Sequence, residues 1–71
     1  MVFNNWKKYK SSPDMIIYSN KYNNDHNIIL SKQSGNRWIV EHKDMGNTIS
    51  AQSENSKLKA VESAKMLMDI Y

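Results

Sequence analysis

Cysteine is missing from this chain of 71 residues, proline occurs once and glycine twice. Without thiols there can be neither a disulfide nor a thiolate metal site, which fits a reducing compartment. Pro13, Gly35 and Gly46 are so few that each can be read as punctuation between elements. No apolar run approaches the ~18 residues of a membrane-spanning helix. The lysines near the start precede no apolar stretch of the signal-peptide kind. A cytoplasmic protein with no membrane partner is the expectation. The motifs of catalysis are lacking too: there is no phosphate loop, nucleophile elbow or paired acidic site. His26 and His42, the two histidines, have no second His or Cys at ligand spacing. Glu41, His42 and Asp44 fall on mixed faces of a strand end and form no orienting triad. Neither an enzyme nor a bound metal or cofactor is expected.

What remains is one lean domain, residues 1–71. A chain of this size buries roughly 60% of its unfolded surface, so its margin of stability is small. The core must be drawn from Trp6, Trp38, the Ile, Val and Leu residues and five methionines. Pairing with a second copy is the other route to burial, which makes a homodimer a candidate assembly. The formal net charge is +3. Lys7, Lys8 and Lys10 supply all of it, because the basic and acidic residues from position 11 onward balance. That footprint is modest for a nucleic-acid binder. Nine asparagines and nine lysines beside a single arginine point to an A/T-rich coding sequence. Such composition is common among bacteriophage accessory proteins, for which the location would be the host cytoplasm.

Along the chain, residues 1–12 read as a basic N-terminal helix or an arm, carrying Phe3, Trp6 and Tyr9 among the lysines. Ser11-Ser12-Pro13-Asp14 ends it, since Pro13 biases Ser12 away from helix. Met15-Ile-Ile-Tyr18 is strand-like by its β-branched and aromatic content. Asn20 to Asn27 reads as a polar loop with its turn at Asn23-Asn24-Asp25. Asn27 to Ser31 is a second strand, and Ser34-Gly35-Asn36 turns the chain into a third. From Arg37 to Lys43 the residues alternate, Trp38, Val40 and His42 facing one way and Arg37, Ile39, Glu41 and Lys43 the other. Gly46-Asn47 offers the positive-φ positions of a tight hairpin, and Thr48 to Ala51 pairs back. After a polar connection from Gln52 to Asn55, residues 56–71 form an amphipathic helix. Its apolar face is Ala60, Val61, Ala64, Leu67, Met68 and Tyr71, with Met66 and Ile70 on its back. The fold class is therefore α+β: a small antiparallel sheet of three to four strands packed against a C-terminal helix.

From Arg37 onward the chain resembles the C-terminal half of a double-stranded RNA-binding domain. Trp38 takes the place of that family's strand aromatic and Gly46 that of its turn. Ser56-Lys57 stands where its helix opens, and Ala60 and Ala64 are the small packing residues. Of the family's three helix-start lysines only Lys57 is matched, the others falling on Leu58 and Val61. The resemblance implies a sheet-and-helix module that grips nucleic-acid backbones from the start of its last helix. Gly35-Asn-Arg-Trp38 also resembles the hairpin entry of the three-stranded DNA-binding domain of some phage and transposon integrases, which implies readout by the sheet face.

Three places are candidates for binding. At the helix start, Ser56 or Ser53 can cap. With Ser56 as cap, Lys57 and Lys59 sit in the first turn, where an anion would satisfy both the lysines and the free N–H groups. With Ser53 as cap they are ordinary surface residues. Trp6-Lys7-Lys8-Tyr9-Lys10 interleaves cations and aromatics as single-strand binders do, unless Trp6 packs on the domain. Met66 and Ile70 on the helix back are open to a partner or a second copy, unless Phe3 and Trp6 cover them. The leading expectation is a small nucleic-acid-binding protein of RNA or DNA, with Lys57, Lys59, Lys7, Lys8 and Lys10 on phosphates and Arg37 and Lys43 as helpers at the sheet edge. The alternative is a phage inhibitor of a host defence or regulatory protein, an anti-defence factor that binds through Met66 and Ile70.

Overall fold

In the computed structural model, which describes residues 5–70 apart from the Asn24 side chain, five strands precede one helix. The strands are β1 (Trp6–Ser12), β2 (Met15–Asn20), β3 (Asn23–Lys32), β4 (Trp38–Asp44) and β5 (Asn47–Glu54), and the helix is α1 (Lys57–Ile70). Each strand pairs antiparallel with the next, giving a meander in the order β1-β2-β3-β4-β5. The class is α+β, with a sheet of five strands where the sequence pattern gives three to four.

Alternation along β2, β3 and β4 sorts the side chains onto two faces. Ile16, Ile28, Leu30, Trp38, Val40 and His42 point to one face and are buried there. Register agrees: Ile16 pairs with Leu30, Leu30 with Val40, and Ile28 with His42. Helix α1 closes this face with Ala60, Ala64 and Met68, while Val61 and Leu67 pack partly against the same cluster. The two alanines let the helix backbone approach the sheet closely. The helix lies mainly over β3 and β4, reaches β5 less, and touches β1 and β2 least. The other face, with Met15, Ile17, Ile29 and Ile39 half-buried on it, carries no helix among the described residues.

Ser56 is the helix cap, its Oγ accepting from the Lys59 N–H at 3.2 Å. That settles the two capping schemes: Lys57 and Lys59 stand in the first turn, which carries no acidic residue.

The N-terminal segment departs from expectation. Residues 6–12 form a strand, neither a helix nor an arm. Trp6 sits opposite Asn20 in register and is buried in the core, and burying so large a ring outweighs the helix-forming lysines beside it. Phe3 lies outside the described residues. The polar loop expected from Asn20 to Asn27 shrinks to a tight turn at Lys21-Tyr22, where the Tyr22 N–H donates to Asn20 Oδ1 at 2.9 Å. Asparagine is a poor strand former, but Asn27 is paired to both β2 and β4 and Asn23 to Asn20 of β2, which overrides local preference. The β4–β5 hairpin turns at Met45-Gly46, with φ of 55° and 83°, one residue earlier than Gly46-Asn47. Gln52 to Glu54 extends β5 where a connection was expected.

Candidate nucleic-acid interface

Strand β1 runs out of register with β2 at one point. Lys8 pairs with Tyr18 and Lys10 with Ile17, so Tyr9 is the extra residue of a β-bulge. A bulge re-aims the side chains beyond it. Lys7, opposite Ser19, already points to the helix-free face. After the bulge Lys10, opposite Ile17, points there too. Lys8 is left on the helix side, where its Nζ lies 6.0 Å from the Tyr18 ring centroid.

The helix-free face therefore gathers Lys7, Tyr9 and Lys10 along one margin. Lys7 and Tyr9 line a hollow of about 540 Å³ with Ile17, Ser19, Asn27 and Ile29. Its polar floor is fixed, since Ser19 is buried and its Oγ donates to Asn27 Oδ1 at 2.6 Å. Lys43 pairs with Asn27 and so stands on this face. At the far corner Arg37 lines a second hollow of about 700 Å³ with Ile39, Gln33, Ser34, Asn36 and Asn55. Glu41 lies between, paired with Ile29, and Asp25 lies toward the rim. Four cations thus surround a half-buried apolar floor of Ile17, Ile29 and Ile39.

The expected phosphate-binding residues are split between the two sides of the molecule. Lys7, Lys10, Arg37 and Lys43 share the helix-free face. Lys57 and Lys59 belong to the helix side, and Lys57 Nζ is 5.9 Å from the Trp38 ring centroid. Lys8 is on the helix side too, beside Tyr18. Met66 and Ile70 are 67% and 71% exposed on the helix. Trp6 does not cover them, being in the core.

Two features escape the sequence pattern. Tyr9, 71% exposed at the bulge, looks from sequence like one more aromatic in a basic run, and a bulge leaves no mark in composition. The other is a histidine pair. Nε2 of His26 meets Nε2 of His42, with ring centroids 4.6 Å apart, and Trp6 packs edge-on against His26 at 4.9 Å. Reading His26 as part of a loop hid this. With β3 beginning at Asn23, His26 falls one pleat from Ile28, the register partner of His42. Burial holds the His42 imidazole below the usual histidine pKa, the neighbouring His26 lowers it further, and Asp44 pulls it the other way.

Among the described residues no cluster of three or more His, Cys, Asp or Glu could hold a metal ion. Nor, among those residues, is any helix long and apolar enough to cross a membrane. No family model, curated protein or solved structure matches this chain.

Proposed function

We propose that this protein binds nucleic acid through the helix-free face of its sheet, with Lys7, Lys10, Arg37 and Lys43 on backbone phosphates. The observation that carries the reading is the bulge at Tyr9, which brings Lys10 round to join Lys7 and, across the sheet, Lys43. Neutralising phosphates with lysines and arginine releases condensed counterions, and this term supplies most sequence-independent affinity. Tyr9 adds an exposed ring on which one base can stack. The apolar floor between the cations suits sugars and base faces better than free water.

Sheet-face contact is the mode implied by the integrase-like hairpin entry at Gly35-Asn-Arg-Trp38. The mode implied by the RNA-binding-domain resemblance, contact from the helix start, leaves Lys57 and Lys59 to act with little help from the rest. Fluorescence anisotropy with labelled single-stranded and duplex oligonucleotides at about 50 mM salt tests the proposal. The double variant Lys7→Glu with Lys10→Glu is expected to abolish binding, while Lys57→Glu with Lys59→Glu leaves most of it. Absence of wild-type binding to every probe removes the reading. The reverse order of the two variants moves the interface to the helix start.

The inhibitor reading is supported by the exposure of Met66 and Ile70 on the helix. It requires a contact that survives nuclease treatment and is lost in Met66→Lys with Ile70→Lys.

A further inference from the structure

A meander has two edges, and here they differ in chemistry. The β1 edge carries Lys7, Lys8 and Lys10, the kind of charge that keeps exposed strands from pairing with one another. The β5 edge has no such guard. From Asn47 to Ser53 it holds no charged residue, proline or glycine, and every one of those residues is exposed. Ile49 is bulged out of register with β4, but Ser50 to Glu54 pair regularly and leave a straight row of outward N–H and C=O groups.

The helix adds a second observation. Ser63 Oγ donates to Glu54 Oε2 at 2.6 Å, so the helix flank bearing Ser63 faces the β5 side. At 100° per residue, Met66 and Ile70 lie on that flank. Both are largely exposed. The helix sits over β3 and β4, reaches β5 as well, and touches β1 and β2 least, so it is displaced toward the β5 edge. An apolar flank therefore stands beside an uncharged open edge.

We propose that β5 pairs antiparallel with β5 of a second copy about a two-fold axis, joining the two sheets and burying Met66 and Ile70 of both helices at the seam. Self-pairing fits the charge pattern, since an uncharged strand meets itself without repulsion while β1 would set lysine against lysine. The two-fold runs the helices antiparallel. Lys59, on the same flank, then points toward the C-terminal end of the other helix, whose dipole and Asp69 are negative. Such an isologous contact closes on itself and gives a dimer with no filament. It also adds apolar burial to a chain whose own core is small. This inference stands apart from nucleic-acid binding.

Sedimentation equilibrium of the full chain is expected to give twice the 8.3 kDa of one copy. Gln52→Lys with Met66→Lys is expected to return the mass to one copy, with the far-ultraviolet spectrum unchanged. Leu58→Lys, exposed on a different side of the helix, is expected to remain dimeric. Amide hydrogen exchange gives a second readout: in the wild type, outward N–H groups between Ser50 and Ser53 should slow at least tenfold as concentration rises. A wild type that stays single up to about 1 mM overturns the proposal, whether or not its edge captures some foreign extended segment. So does a Gln52→Lys, Met66→Lys variant that still dimerises. Should that variant fail to fold, Ser50→Lys alone decides between the same two outcomes.

Discussion

His42 is the residue on which acid sensitivity should turn. It is buried on the core face, and its ring nitrogen meets that of His26. One nitrogen of such a contact must hold the hydrogen and the other a lone pair, so both rings cannot be imidazolium together without separating. Burial first, and His26 second, lower the His42 pKa from its ordinary 6.5. The folded state thus binds fewer protons than the unfolded chain as acid is added. His42 therefore contributes stability that is fully present above about pH 6.5 and is lost as pH falls through the depressed value. The urea midpoint is expected to drop between about pH 7.5 and 5 with little change in slope, since the folded core is otherwise the same. His42→Gln should flatten the dependence in that window, whatever it does to stability at neutral pH. A variant that keeps the wild-type pH profile would assign the effect to carboxylates instead. Pulling the pair apart also disturbs Trp6, which rests on His26, so tryptophan fluorescence should shift over the same range.

At the scale of elements, two termini carry testable strain. Met45 occupies the left-handed region at φ 55°, where a non-glycine side chain is disfavoured by about 1–2 kcal/mol. It is exposed, so replacing it loses no packing. Met45→Asn creates the favoured Asn-Gly turn and is expected to stabilise the protein by about 0.5–1 kcal/mol, read from the urea midpoint. Ser56→Ala removes the one side-chain cap on a helix that opens on lysines and has no acid in its first turn. It should destabilise by about 1 kcal/mol. Conversely, at concentrations too low for two copies to pair, Lys59→Glu is expected to stabilise by a few tenths of a kcal/mol, because an anion suits the positive helix end. These elements were also where the sequence spoke most clearly. The 3.6-residue spacing of Ala60, Ala64 and Met68 and the alternation of Trp38, Val40 and His42 are periodic signals, and both faces appear as read except at Tyr71, which lies outside the described residues. The asparagine-rich start of β3 and the lysine-rich β1 were illegible, because their strand state comes from pairing with β2 and, for β1, from burial of Trp6. The bulge at Tyr9 has no periodic signal at all. It decides which lysines stand together, so the candidate binding residues could be listed from sequence but not sorted by face.

For the whole molecule, the nucleic-acid binding proposed above raises the question of whether one side or both take part. The helix-free face offers Lys7, Lys10, Arg37 and Lys43, while Lys8, Lys57 and Lys59 belong to the other side. A phosphate backbone can follow one face of the sheet, but it must wrap around an edge strand to reach both. Each neutralised phosphate contributes about −0.7 on a single strand to −0.9 on a duplex to the slope of log affinity against log salt. Four contacts therefore give a slope of about −3, and all seven would give about −5 to −6. Titrations at several salt concentrations, repeated with Lys57→Ala and Lys59→Ala together, separate these cases. The double variant is expected to keep the wild-type slope. A slope near −5 that falls by almost two in the variant would mean that the backbone wraps the edge. Arg37→Ala is the complementary measurement: Arg37 lies at the far corner from Lys7 and Lys10, so losing it should reduce the slope by about one only for oligonucleotides long enough to span the face.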